Sequence, residues 1–195
     1  MSKAEKVQFG LKNVHYALQT ADESGEIKYG TPKPFPGSVA LNLSVATELL
    51  EFYADDIAYY STYVNNGYTG DIETALVHDS FKADVFGDEE VDGILFENAD
   101  RDAVHIALLA EFDTDVVAKR ICLYDVLCSR PDVAFRTIEK TKTVQTQKMN
   151  LTAKPIVLNG KKIVKSSTIA TTAKEKFDNF FKAVVLPSAT ASVTE

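Results

Sequence analysis

Apolar residues fall at every second position over much of this chain. Val7, Phe9 and Leu11, then Val14, Tyr16 and Leu18, keep that period in two phases with Asn13 at the slip, which predicts an N-terminal strand bulged at Asn13. A loop punctuated by Gly25, Gly30, Pro32, Pro34, Pro36 and Gly37 leads to a second strand, in which Val39, Leu41 and Leu43 alternate with Ala40, Asn42 and Ser44. Ile72 to Val77 predicts a weaker third strand and Gly93 to Glu97 a fourth. The clearest is Val104 to Phe112, where Val104, Ile106, Leu108, Ala110 and Phe112 face one way and His105, Ala107, Leu109 and Glu111 the other, so at least one face is core. Val117 to Arg130 is again β-branched and aromatic and is closed by Pro131, and Met149, Leu151 and Ala153 alternate with polar neighbours. The sharpest local signal is Ile156-Val157-Leu158, Asn159-Gly160, Lys161-Lys162-Ile163-Val164. Asn-Gly between two strand-like runs is a type I′ hairpin turn, because both central residues must accept positive φ.

Helical spacing is confined to two places. Phe177, Phe180, Phe181 and Val184 follow the capping box Thr172-Ala173-Lys174-Glu175, predicting an amphipathic helix over 173–185 that Pro187 stops. A shorter helix is predicted from Phe81 to Phe86, with Ser80 as N-cap and Gly87 as stop. Many short strands and few helices predict a mainly β fold, an antiparallel β-sandwich or barrel with one or two flanking α-helices. The 195 residues suit one domain over 1–187, followed by a small, polar and flexible tail over 188–195.

With 45% apolar and 25% charged residues, global disorder is excluded. There is no apolar run of about 18 residues to span a bilayer, and the first residues lack the apolar core of a signal peptide, so the chain reads as one kept on the cytoplasmic side. Cys122 and Cys128 on one predicted strand would share a face yet stand roughly 20 Å apart, and are expected to be reduced and packed. The net charge of −7 conceals a split: residues 1–115 carry −15 and residues 116–195 carry +8. Two readings are open, complementary patches within one domain, or opposed patches that favour head-to-tail assembly.

Catalytic, cofactor and metal signatures are not found. None of the nine glycines builds a phosphate-cradling loop, and no serine sits in a nucleophile elbow. Asn98, Asp100 and Asp102 alternate as calcium ligands do, but the required glycine after Asp102 is missing and Leu109 stands where the bidentate glutamate belongs. Asp88-Glu89-Glu90-Val91-Asp92 reads as a solvated turn. Asp55-Asp56 is a catalytic pair only if a cleft raises one pKa. What stands out is an aromatic loop, Tyr53 to Asp71, holding five of the eight tyrosines. Tyrosine suits surfaces buried on assembly, while a segment packed in the core is the plainer reading, and acidic flanks disfavour nucleic acid.

In order along the chain, Phe9-Gly10-Leu11-Lys12-Asn13-Val14-His15-Tyr16-Ala17, Tyr53-Ala54-Asp55-Asp56 with Tyr59-Tyr60, Asn66-Gly67-Tyr68-Thr69-Gly70-Asp71, Asp79-Ser80-Phe81 and Gly93 through Asn98-Ala99 together resemble the major tail proteins of long-tailed, non-contractile phages of Gram-positive hosts. The likeness is densest over residues 7–130 and thinner after Ala153. It implies a tail-tube fold, two antiparallel sheets packed as a sandwich or barrel beside a helix. It also implies a structural virion protein and not an enzyme, without cofactor or membrane contact, assembled in the host cytoplasm into hexameric rings that stack as a DNA-conducting tube. The implied partners are further copies, the tape measure protein, and tail terminator or baseplate proteins. On this resemblance Tyr59, Tyr60, Tyr63, Asn65, Asn66 and Tyr68 are expected at contacts between rings. Asp88, Glu89, Glu90 and Asp92 are expected to face the lumen, where carboxylates offer phosphate no counterion-release gain. A ligand- or carbohydrate-binding β-sandwich, with the tyrosines as its platform, is the alternative.

Overall fold

The computed structural model describes residues 5–21, 26–137 and 144–187; the predicted tail over 188–195 lies outside them. The chain is mainly β. Its strands are β1 (Gln8–Ala21), β2 (Ile27–Tyr29), β3 (Lys33–Pro34), β4 (Ser38–Ala54), β5 (Ile57–Thr74), β6 (Glu89–Val91), β7 (Ile94–Phe96), β8 (Ile106–Thr114), β9 (Lys119–Cys128), β10 (Gln147–Lys154), β11 (Ile156–Leu158), β12 (Lys161–Ile163) and β13 (Lys165–Ser167). Nine form one antiparallel sheet in the order β2-β1-β8-β9-β10-β5-β4, with β3 beside β1 and β13 beside β9, while β6–β7 and β11–β12 are separate hairpins.

Local chemistry explains the main features. β1 breaks register on either side of Lys12, with Gly10 at φ 66° and Asn13 at φ 51°, so the slip predicted at Asn13 is a real bulge. β8 is central, and Ile106, Leu108 and Ala110 enter one core while Ala107 and Leu109 enter another, so both of its faces are buried. The Asn159-Gly160 turn joins β11 to β12 with φ 50° and 73°, as the dipeptide predicts.

The first core lies where the sheet curls on itself. β1 and β4, far apart in strand order, come against each other, and Val14, Leu41 and Ile72 meet Phe81, Val85 and Phe86. The Tyr16 ring packs edge-on to Phe81 at 4.8 Å between centroids, and its hydroxyl donates to Asp84 Oδ2 at 2.7 Å. Burial and that carboxylate push the phenol well above its ordinary pKa. The helical cover is α1 (Asp79–Phe81), continued by a π-helical turn Lys82–Phe86 that ends at Gly87. His78, not Ser80, holds the N-cap position, so the helix starts before the predicted cap.

The second core, on the opposite face, joins Ala17, Leu109, Cys122 and Tyr124 to Ile156 and Phe180 of the C-terminal segment. The helix predicted over 173–185 is only five residues long, α2 (Lys174–Asp178). Thr172 forms no capping box, because its hydroxyl accepts from the Ile169 N–H instead. Beyond Asp178 the chain tightens into three-residue turns: Phe180 N–H donates to Phe177 O, to which the Arg120 guanidinium also donates.

The two cysteines are reduced, yet they do not share a face. Between Leu123 and Val126 β9 takes three steps while β8 takes two from Leu108 to Ile106, and this inversion sends Cys122 into the second core and Cys128 into the first. Burial raises each thiol to about 12. Iodoacetamide at mildly alkaline pH should therefore label neither cysteine in the native chain and both in denaturant, as read by intact-mass spectrometry. Fast, stoichiometric labelling of the native chain would contradict this burial.

Candidate functional site

β4 and β5 form one hairpin that outgrows the sheet. Their pairing runs from Ser38 opposite Thr74 to Ala54 opposite Ile57, and Asp55 and Asp56 close the tip at φ 51° and 62°. β10 supports β5 only from Thr74 back to Tyr68. The ribbon from Tyr68 to Ile57 thus projects eleven residues, roughly 35 Å, beyond its support. The predicted aromatic loop is instead the tip of this arm and most of its inner strand, β5. It lacked a clean period because apolar residues occupy both faces and because register shifts at Val45/Thr47 and Phe52/Tyr53 change the phase.

Cross-strand partners share a face, which defines the two surfaces. Leu49 lies with Tyr63, and Glu51 with Ser61; on the opposite face Leu50 lies with Thr62, Phe52 with Tyr60, and Glu48 with Val64. Tyr59 occupies the bulge and is 72% exposed, as is Tyr63, so neither packs in a core. Ten large apolar or aromatic side chains from Val45 to Val64 are at least 41% exposed. A two-stranded ribbon is marginal in water by itself. Covering these side chains at about 1 kcal/mol each would contribute about 10 kcal/mol, comparable with the roughly 4–15 kcal/mol that association costs.

The other residues expected at contacts shape the arm's root. Tyr68 is half-buried against the first core, and the Lys165 ammonium lies 4.6 Å from its ring centre. Asn65 Oδ1 accepts from the Gly67 N–H at 2.9 Å, and Asn66 Nδ2 donates to Glu48 Oε2 at 3.4 Å. Gly67 is required here: its φ is 108°, and a Cβ would lie 2.0 Å from the Ala153 carbonyl oxygen. Leu49, Leu50, Phe52 and Ile57 belong to the exposed surface but were missed by a second strand that ended at Ser44. The signal for them was the adjacent apolar pairs Leu49-Leu50 and Phe52-Tyr53, which place apolar atoms on both faces of a strand.

The charge split is partly closed inside the subunit. Arg120 pairs with Glu111, Arg130 with Asp88 at 2.7 Å and Glu97 at 3.2 Å, Lys148 with Asp71 at 3.1 Å, and Lys119 with Glu5. Asn42 and Lys148 hold the Asp71 carboxyl below its ordinary pKa. Among the described residues that enter no ion pair are Glu48, Glu51, Asp55 and Asp56 on the arm, and Lys154, Lys161, Lys162 and Lys165 in and beside the β11–β13 segment.

The acids expected to face a lumen divide. Asp88 is buried and held by Arg130, whose guanidinium also donates to the Phe86 and Asn98 carbonyls, so Asp88 is an internal brace and presents no carboxylate at the surface. Glu89, Glu90 and Asp92 are exposed on the β6–β7 hairpin beside Val91, Ile94 and Phe96.

Other candidate chemistry is dispersed. Asp55 and Asp56 stand at an exposed turn, and Asn98 Oδ1 is taken by the Asp100 N–H at 2.9 Å. His105 Nδ1 pairs with Asp125, and His15 stacks on Phe181 at 4.5 Å. Among the described residues no three His, Cys, Asp or Glu side chains gather as a metal site, and no helix is long and apolar enough to cross a membrane. Compared with known proteins, the chain matches no family model and no curated sequence.

Proposed function

We propose that this chain is a structural subunit that polymerises through its β4–β5 arm, and specifically a tail-tube protein whose stacked rings, six subunits each by the resemblance, form a hollow conduit for phage DNA. The observation that carries the reading is the arm: a ribbon of about 35 Å with apolar side chains exposed on both faces, which a neighbouring copy would cover. Two further features support it. β4 is an edge strand of 17 residues with no Lys, Arg or Pro to blunt its unpaired backbone, which leaves it open to pairing with another chain. The exposed Glu89, Glu90 and Asp92 would give a lumen that repels phosphate, so that DNA slides without adhering. Tape measure and terminator or baseplate proteins belong to the same reading as partners at the tube ends.

Sedimentation velocity over a concentration series tests self-assembly. Above a threshold concentration the expected result is a population of very large species growing at the expense of the monomer. A chain that stays monomeric at every concentration would remove the basis of the proposal.

A further inference from the structure

The arm's acids draw away from the β11–β13 lysines towards its tip: Glu48 stands near the root, where Asn66 donates to it and Gly67 abuts Ala153 beside Lys154, and Glu51, Asp55 and Asp56 follow outward. No Lys or Arg occurs between Lys33 and Lys82, so the arm carries only acids, and no Asp or Glu occurs between Glu139 and Glu175, so the β11–β13 region carries only lysines. Lys165 sits at the arm's root over Tyr68, while Asp55 and Asp56 lie roughly 35 Å further along the ribbon. At that separation, several Debye lengths at physiological salt, the tip aspartates and these lysines cannot neutralise each other within one copy.

We infer that the arm of one copy docks on the β11–β12 hairpin and β13 of a second copy, Glu48, Glu51 and the tip aspartates meeting Lys154, Lys161, Lys162 and Lys165. This rests on the self-assembly proposed above and names the surface that receives the arm. The receiving region also has the apolar patches such an arm needs: Val157, on the same face of its hairpin as Lys162, is 63% exposed, and Ile169 is 62% exposed. Two different surfaces in contact make a heterologous interface, which repeats from copy to copy and extends an assembly instead of closing a dimer. Like-charged hairpins and like-charged arms repel, which selects this pairing over arm-to-arm contact.

A charge exchange tests the inference, read as the threshold concentration for assembly. Lys161→Glu with Lys162→Glu, and separately Glu48→Lys with Glu51→Lys, should each raise the threshold at least about tenfold, and the four changes in one chain should bring it back to within about threefold of the parent. The tip aspartates are left alone because their positive φ disfavours lysine. All four positions are exposed, and an independent reading comes from mixing Glu51→Cys copies with Lys162→Cys copies under oxidation, which should yield a disulfide-linked heterodimer. A parent chain that never assembles overturns the self-assembly reading and this inference with it. A parent that assembles while both charge-reversed pairs assemble equally well, or a combined variant that recovers nothing, overturns this inference alone. Retention of duplex DNA by the lysines, with assembly indifferent to Lys161→Glu and Lys162→Glu, would assign that surface to nucleic acid and overturn it likewise.

Discussion

Alanine at Tyr59, Tyr60 and Tyr63 together should leave a folded monomer and stop its polymerisation. The three rings are 72%, 55% and 72% exposed, so removing them opens no cavity in either core. Their loss costs the ribbon only local strand preference and cross-strand contacts, each within about 1 kcal/mol, in a region beyond the supported sheet. In an assembly the same rings would be buried anchors, for which truncation costs about 2 kcal/mol or more each. Three such losses, about 6 kcal/mol if additive, would raise the assembly threshold by roughly four orders of magnitude. Circular dichroism should show a melting curve close to the parent, and light scattering should show no large species at any accessible concentration. Growth at the parental threshold would show that the arm's aromatic rings are not the contact.

Arg120→Ala should have the largest effect on the stability of the subunit itself. Glu111 is 5% exposed, and Arg120 Nε donates to its Oε2 at 2.5 Å; among the described residues one other cation pairs with it, Lys12 at 3.4 Å. The same guanidinium stands 3.8 Å from the Phe177 ring centre and 4.6 Å from that of Phe181, and donates to the Phe177 carbonyl. Alanine there strands a buried carboxylate and releases the clamp on the C-terminal segment. Breaking one side of such a pair costs about 3–5 kcal/mol, and Lys12 holds this case near the lower end, about 3 kcal/mol. At about 2–4 °C per kcal/mol for a chain of this size, the melting temperature should fall by roughly 10 °C. Replacing both partners, Arg120→Met with Glu111→Leu, should recover most of that loss, because no unpaired charge is left behind. A single variant that melts within about 2 °C of the parent would mean the clamp contributes little.

The parts of the fold that were legible in the sequence are those fixed by local chemistry. Asn13 marked its own bulge by breaking the apolar phase, Asn159-Gly160 accepted the two positive φ values of its turn, and the alternation over Val104 to Phe112 marked at least one buried face of β8, both of whose faces are in fact buried. What the sequence obscured depends on distant partners. Cys122 and Cys128 fell on opposite faces because β9 is bulged against β8, a property of two strands and not of one. The C-terminal helix stops early because Arg120, more than fifty residues away, takes the Phe177 carbonyl. Asp88 looked like one more acid in a solvated run until Arg130 closed over it.

The arm was legible as a composition and illegible as a shape. Tyr59, Tyr60 and Tyr63 stand exposed on the ribbon, whereas Asn65, Asn66 and Tyr68 of the same segment form its root. Regular alternation arises when one face of a strand is buried and the other wet; a ribbon apolar on both faces writes no such pattern, and two register shifts scramble what remains.

The measurement that bears most directly on the proposed function is negative-stain electron microscopy of the concentrated, purified chain. The expected images are unbranched tubes with a stain-filled axial channel and a regular axial repeat from stacked rings. A field of separate monomers, or of solid fibrils without a channel, would contradict a tube subunit.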